Sequence, residues 1–103
     1  MIAPLADARA AGLRVEIADL GDWSPAALVS EYDPRERTIR VNERALARAE
    51  ASGGAAAREA LFAAAVAHEL YHHAVGGAEG GADAFVRERY GIDPARAASV
   101  LRR

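Results

Sequence analysis

The feature that most constrains the fold is an alanine-rich stretch, residues 55–75, that contains neither glycine nor proline. Glycine pairs bound it on both sides, at 53–54 and at 76–77. Alanine has the highest helix propensity, and larger apolar residues recur along the stretch at helical spacing: Leu61, Phe62, Val66 and Leu70. The pattern therefore predicts one long helix that ends at the second glycine pair.

The residues before this helix predict a short helix and three strands. Pro4 suits the first turn of a helix and Gly12 its C-terminal cap, so we expect a helix over residues 4–11. Asp33-Pro34 is typical of a tight turn, which makes residues 27–41 a candidate hairpin. The β-prone stretches are 13–17, 27–32 and 37–41. We interpret them as a small antiparallel sheet.

Further helices are expected around the long one. Asn42 can cap a helix that begins at Glu43 and breaks at residues 52–54. Beyond the second glycine pair, residues 82–90 look helical, and Asp93-Pro94 suits the start of a last helix over 94–102. No internal repeat or linker divides the chain. We therefore expect residues 1–103 to form one α+β domain, with a small sheet followed by helices.

The long helix contains His68-Glu69-Leu70-Tyr71-His72. Because an α-helix turns once in about 3.6 residues, His68 and His72 project from the same face and can reach one ion. Glu69 lies about 100° further round the helix, from where it can act as a general base on a metal-activated water. Two neutral imidazoles are good zinc ligands, so one Zn²⁺ ion is the expected cofactor.

The alternative is a helix whose histidines make ordinary surface hydrogen bonds. The apolar neighbours of the motif argue against it, because they predict a largely buried helix, in which charged Glu69 and two imidazoles would be costly without partners. These neighbours are Ala63, Ala64, Val66, Ala67 and Leu70. His73 is interpreted as an exposed or hydrogen-bonded histidine, and Tyr71 as a packing residue.

A catalytic zinc usually has three protein ligands and an open position for water. The chain has no cysteine, so the third ligand must be another histidine or a carboxylate. Glu79 and Asp83 follow the motif closely, and a turn at Gly76-Gly77 can bring either back to the ion. We favour Glu79 as the ligand. Asp83 then hydrogen-bonds a ligand imidazole or takes the place of Glu79, and the alternative is that both are solvated on a helix face.

These residues resemble a known family. The run 68–73, followed by Glu-Gly-Gly-Ala-Asp-Ala-Phe at 79–85, is similar to the zincin domain of ImmA/IrrE-type metallopeptidases. That family shows a His-Glu-Leu-x-His helix and a later Glu-x-x-Ala-Asn/Asp-x-Phe helix. Residues 18–22 and 32–42 are similar to the hairpin that precedes its active-site helix, so the resemblance covers about residues 13–90. Other very small zincins are equally possible relatives.

The resemblance implies a zincin-like fold and a zinc-dependent peptidase. His68, His72 and Glu79 would bind the metal, Glu69 would be the general base, and the substrate would be a peptide or protein. The gluzincin pattern, which this run also resembles, implies that Asp83 supports a ligand histidine.

Two other functions stay open. One is a zinc-binding regulatory or interaction module with a zincin fold and little or no peptidase activity, since a chain this short leaves little room for a second lobe around a substrate cleft. The other is a helix-rich interaction protein without metal. In the peptidase interpretation, strand 37–41 is the candidate sheet edge for an extended peptide, and Tyr71, Tyr90 or an arginine is the candidate oxyanion donor.

Composition excludes several other classes. Thirteen Lys and Arg against fifteen Asp and Glu give a net charge of −2, so no basic field indicates nucleic-acid binding. No apolar run approaches the roughly 20 residues that span a membrane, and the N-terminus lacks the basic region of a signal peptide. The chain has no cysteine, which excludes disulfides and metal sites with thiolate ligands. We expect a soluble, cytoplasmic domain that binds neither nucleic acid nor membranes.

Overall fold

The structure is a computed structural model that describes residues 2–21, 29–76 and 81–102. Its elements are α1 (Ala3–Ala10), β1 (Arg14–Ala18), β2 (Ser30–Asp33), β3 (Thr38–Asn42), α2 (Glu43–Val75), α3 (Ala82–Tyr90), α4 (Pro94–Ser99) and a 3₁₀ turn (Val100–Arg102). The predicted α+β class is confirmed, and each described element begins within a few residues of its predicted position. The last predicted helix is divided into α4 and the 3₁₀ turn.

The three strands form a mixed sheet, so the prediction of an antiparallel sheet was wrong. β3 is the central strand. β2 pairs with it antiparallel, as the predicted hairpin requires, whereas β1 pairs with it parallel, with Val15 opposite Ile39. Side chains alternate between the two faces in both kinds of pairing, so the sequence pattern alone does not distinguish them.

The central position of β3 also corrects the expectation that strand 37–41 is an open sheet edge. β3 has a neighbour on both sides, and its side chains Thr38, Ile39, Val41 and Asn42 are buried. The edges are formed by β1 and β2. β2 contacts the predicted motif through the hydrogen bond between Ser30 and Glu69, and Tyr32 of the same strand contacts His73, the residue that follows the motif.

Helix α2 consists of two helical segments that meet at Gly54. This residue has φ 79° and ψ −172°, a backbone conformation that is essentially restricted to glycine. The predicted break at residues 52–54 is therefore confirmed. The first segment begins at Glu43, directly after its cap Asn42, and the second segment, residues 55–75, carries the motif.

The core lies between the sheet and α2. The central strand and α2 contribute most of the large, fully buried apolar side chains, and α3 contributes one: Ile39, Val41, Leu46, Val66 and Val86. Ala8 of α1 and Val100 of the 3₁₀ turn belong to the buried core. This burial fixes the second segment of α2 against the sheet. In the part of the chain that the structure describes, no helix is both long and apolar enough to cross a membrane.

Asn42 connects the end of β3 to the start of α2. The side chain is fully buried. Its Oδ1 accepts hydrogen bonds from the backbone N–H groups of Arg44 and Leu20, each at 3.1 Å, and its Nδ2 donates to the carbonyl oxygen of Gly21 at 2.9 Å. One side chain therefore caps the helix, as predicted, and also holds the loop that follows β1.

Replacing Asn42 should be more destabilising than removing an ordinary helix cap. We expect Asn42→Ala to lower the free energy of unfolding by about 2–3 kcal/mol, because the cap and two contacts with the loop are lost together. Asp93 is the matched control, since it caps α4 at an exposed position, and Asp93→Ala should cost about 0.5–1.5 kcal/mol. Urea unfolding of both variants measures the difference, and equal losses would contradict the role given to Asn42.

Candidate metal and catalytic site

The predicted motif lies at a cleft between α2, the start of β2 and α4. This first cleft has a volume of about 380 Å³, and His68, Glu69 and His72 line it. Its other described lining residues are mostly apolar: Val29, Ser30, Leu61, Ala64, Ala65, Pro94 and Ala98. The structure thus brings the predicted base and two of the predicted ligands into one concave, largely apolar site, the usual setting for a ligand-binding centre.

The side chains of His68 and His72 converge. Their Nε2 atoms are 3.1 Å apart, and the rings meet edge to face with centroids 4.8 Å apart. Two imidazole nitrogens that bind one zinc ion tetrahedrally, each at about 2.05 Å, lie about 3.3 Å apart. The same-face arrangement that the sequence spacing predicted is therefore present, at a separation close to what a shared metal ion requires.

A backbone carbonyl orients His72. Its Nδ1 lies 3.0 Å from the carbonyl oxygen of Gly76, the residue that caps the C-terminus of α2. Because a carbonyl only accepts, Nδ1 is the donor, and the neutral ring keeps its lone pair on Nε2, which faces His68. Metal-binding histidines are commonly oriented in this way. Gly76 has φ 102°, a conformation that residues with a Cβ rarely adopt.

Glu69 is buried beside the histidine pair, with 5% of its surface exposed. The hydroxyl of Ser30 donates a hydrogen bond of 2.7 Å to its Oε2. A buried carboxylate is costly without hydrogen-bond partners, and β2 supplies one here. Ser30 carries no signal in the sequence, because only the packing of the strand on the helix decides which side chain faces Glu69.

A second hydrogen bond joins the same strand and helix. The hydroxyl of Tyr32 lies 2.7 Å from Nδ1 of His73, and the rings meet edge to face at 5.4 Å. Ser30 and Tyr32 are two residues apart on the strand, a rise of about 6.6 Å, and Glu69 and His73 are four residues apart on the helix, a rise of about 6 Å. The two contacts therefore match in spacing. His73 is hydrogen-bonded, which is one of the two outcomes expected for it.

The tyrosines that the sequence offered as oxyanion donors have other contacts. Tyr71 is buried, with its ring 5.6 Å from that of Phe85 and its hydroxyl beside Gly81, so the prediction of a packing role is confirmed. The hydroxyl of Tyr90 donates to Asp7 at 2.6 Å and joins α3 to α1, which lowers the pKa of Asp7 below its usual value. Neither tyrosine is among the described residues that line the first cleft.

Glu79, the predicted third ligand, lies outside the described residues, and its role stays a prediction. Asp83, the alternative, is exposed in the first turn of α3. Within residues 2–21, 29–76 and 81–102, no three His, Asp or Glu side chains form a group that could hold a metal ion. Asp83 therefore does not complete a three-residue site with His68 and His72 in the described structure.

Comparison with known proteins gave no match to a family model, to a curated protein or to a solved structure. The resemblance to ImmA/IrrE-type metallopeptidases therefore depends on the motif residues themselves, and membership of that family stays a prediction.

The hydrogen bond from Ser30 to Glu69 predicts a measurable stability effect. Ser30→Ala should lower the free energy of unfolding by about 1–3 kcal/mol, because the buried carboxylate loses a donor. Ser99→Ala is the matched control, since the hydroxyl of Ser99 donates to the carbonyl oxygen of Arg96 in an exposed hydrogen bond within α4. This substitution should cost less than about 0.5 kcal/mol. If urea unfolding gives the same loss for both variants, Ser30 does not stabilise Glu69.

Proposed function

We propose that this protein is a zinc-dependent peptidase with a zincin-like fold. The observation that carries the proposal is the convergence of the Nε2 atoms of His68 and His72, 3.1 Å apart, in a cleft that Glu69 also lines. A mixed sheet packed against the helix that bears this motif is compatible with a zincin-like architecture. The resemblance of the motif region to ImmA/IrrE-type metallopeptidases supports the same assignment.

The donor set fits zinc. Imidazole nitrogen suits borderline-soft metals such as Zn²⁺ rather than Mg²⁺ or Ca²⁺. The contact with Gly76 directs the lone pair of His72 Nε2 toward the position shared with His68. We assign the role of the third protein ligand of the zinc ion to Glu79. When bound, zinc supplies a Lewis acid that lowers the pKa of water and polarises the carbonyl of a peptide bond.

Glu69 is the general base in this proposal. Its carboxylate accepts a proton from the attacking water and later delivers it to the departing amine. Ser30 holds Oε2 of the carboxylate, which limits the orientations of the group inside the cleft. The apolar walls of the cleft reduce the local dielectric constant, and this strengthens the electrostatic interactions among the reacting groups.

Metal binding and hydrolysis can be tested separately. Protein treated with a chelator and dialysed should bind one zinc ion per chain, and His68→Ala and His72→Ala should each weaken binding at least about 100-fold, since a ligand is removed. Isothermal titration and elemental analysis measure these changes. A chain that binds no zinc would contradict the proposed site.

Hydrolysis is tested with Glu69→Gln, which retains the shape of the side chain but not the base. We expect kcat for cleavage of denatured casein to fall by about 100-fold or more, with zinc still bound. Glu59→Gln is the control, because Glu59 lies exposed on the same helix, outside the site. Cleavage that survives Glu69→Gln would contradict the role of the base. Zinc binding without cleavage by the wild type would favour the regulatory module.

The carbonyl of Gly76 should tune zinc affinity through His72. Gly76→Ala places a Cβ at φ 102° and should both strain the turn and displace the carbonyl, so we expect zinc affinity to fall about 10–100-fold. Gly91→Ala is the control, because Gly91 ends α3 with φ 66° and does not contact the histidines. Both variants should lose about 1–2 kcal/mol of stability. Equal zinc affinity in the two variants would contradict the proposed effect of Gly76 on zinc binding.

A further inference from the structure

We infer that Tyr32 is a catalytic residue that donates a hydrogen bond to the carbonyl oxygen of the scissile peptide bond, and that His73 positions it; the inference rests on the proposed peptidase function. A second cleft, of about 510 Å³, lies beside β2. Its described lining residues are Tyr32, Pro34, Glu69, His72, His73 and Gly76.

The second cleft shares two lining residues with the first. Glu69 and His72 line both clefts, so the proposed base and a proposed ligand stand between them. A peptide that extends from the apolar first cleft into the second cleft passes these two residues and reaches Tyr32 on the β2 side. The phenol of Tyr32 therefore presents a hydroxyl group on the wall of the second cleft, which Glu69 and His72 also line.

The phenol is able to donate to a substrate in one of the two neutral tautomers of His73. When Nδ1 of His73 carries the ring proton, the ring donates to the phenolic oxygen over 2.7 Å, and the hydroxyl hydrogen is free for another acceptor. The edge-to-face contact of the two rings restrains the phenol from the side. A donor that is already held in place stabilises developing negative charge without reorganisation, which is the basis of oxyanion stabilisation.

Other candidate donors in the described part of the chain are occupied elsewhere. Tyr71 packs against Phe85 and Gly81, and Tyr90 donates to Asp7. None of the described arginines lines either of the two clefts. Among the described tyrosines and arginines, Tyr32 is therefore the residue that lines a cleft together with Glu69.

The inferred contribution of Tyr32 is a hydrogen bond, with no transfer of its proton. In the hydrolysis, the water oxygen forms a bond to the carbonyl carbon, a water proton passes to Glu69, and the π-electron pair moves onto the carbonyl oxygen that faces Tyr32. The pair then re-forms the carbonyl, the C–N bond breaks, and the amine leaves with the proton from Glu69. Peptide and water give one carboxylic acid and one amine.

The test is Tyr32→Phe, assayed with a quenched-fluorescent peptide selected from a casein digest. We expect kcat to fall about 100–1,000-fold, as for the loss of an oxyanion donor, with KM changed less than about threefold and zinc affinity unchanged. Tyr90→Phe is the matched control, because it also removes a phenolic hydrogen bond, of 2.6 Å, but outside both clefts. Its kcat should equal that of the wild type.

The positioning role of His73 has a separate readout. His73→Ala removes the partner of the phenol and should lower kcat about tenfold or more, whereas His73→Asn keeps an amide near the place of Nδ1 and should restore most of the loss. Wild-type kcat in Tyr32→Phe, while Glu69→Gln is inactive, would overturn the inference and leave the peptidase intact. A wild type that binds zinc and cleaves nothing would overturn both.

Discussion

The attachment of edge strand β2 to the second segment of α2 is the contact on which the site depends. Two hydrogen bonds of 2.7 Å, from Ser30 to Glu69 and between Tyr32 and His73, join the strand and the helix at matching intervals. Strand residues two apart and helix residues four apart rise by nearly the same distance, so the spacing of the two bonds matches along both elements. The strand donates to the buried carboxylate of Glu69 and places the phenol of Tyr32 in a cleft that Glu69 also lines. The contact between strand and helix and the candidate catalytic centre therefore share Glu69.

Burial of the Glu69 carboxylate between β2 and α2 carries an energetic cost that the packing of apolar side chains does not. Ser30 offsets part of this cost, and the cleft formed by the strand, α2 and α4 keeps the group next to the converging imidazoles. The carbonyl of Gly76 similarly holds His72 in one orientation. Hydrogen bonds of this kind restrict the orientation of a side chain, as those around metal-binding residues commonly do.

Several parts of this architecture were predictable because they depend on local sequence. Glycines at 53–54 and 76–77 bound the motif-bearing segment, since Gly54 and Gly76 adopt backbone conformations that other residues avoid. The spacing of His68 and His72 fixed their common face. In contrast, the mixed sheet, the central position of β3 and the contacts of Tyr71 and Tyr90 depend on partners distant in sequence. The resemblance to a metallopeptidase family also followed from local motif residues.

The sequence by itself determined which side chains form the candidate site: two histidines one helical turn apart with a glutamate beside them, in a helix that glycines delimit. These are properties of neighbouring residues, and helix geometry makes them independent of the rest of the chain. Only the tertiary structure decided which strand lies against that helix, and hence that Ser30 and Tyr32 are the partners of Glu69 and His73. The reason is that strand order and direction are set by the burial of both faces of the sheet and helix together, and residue alternation along a single strand does not encode them.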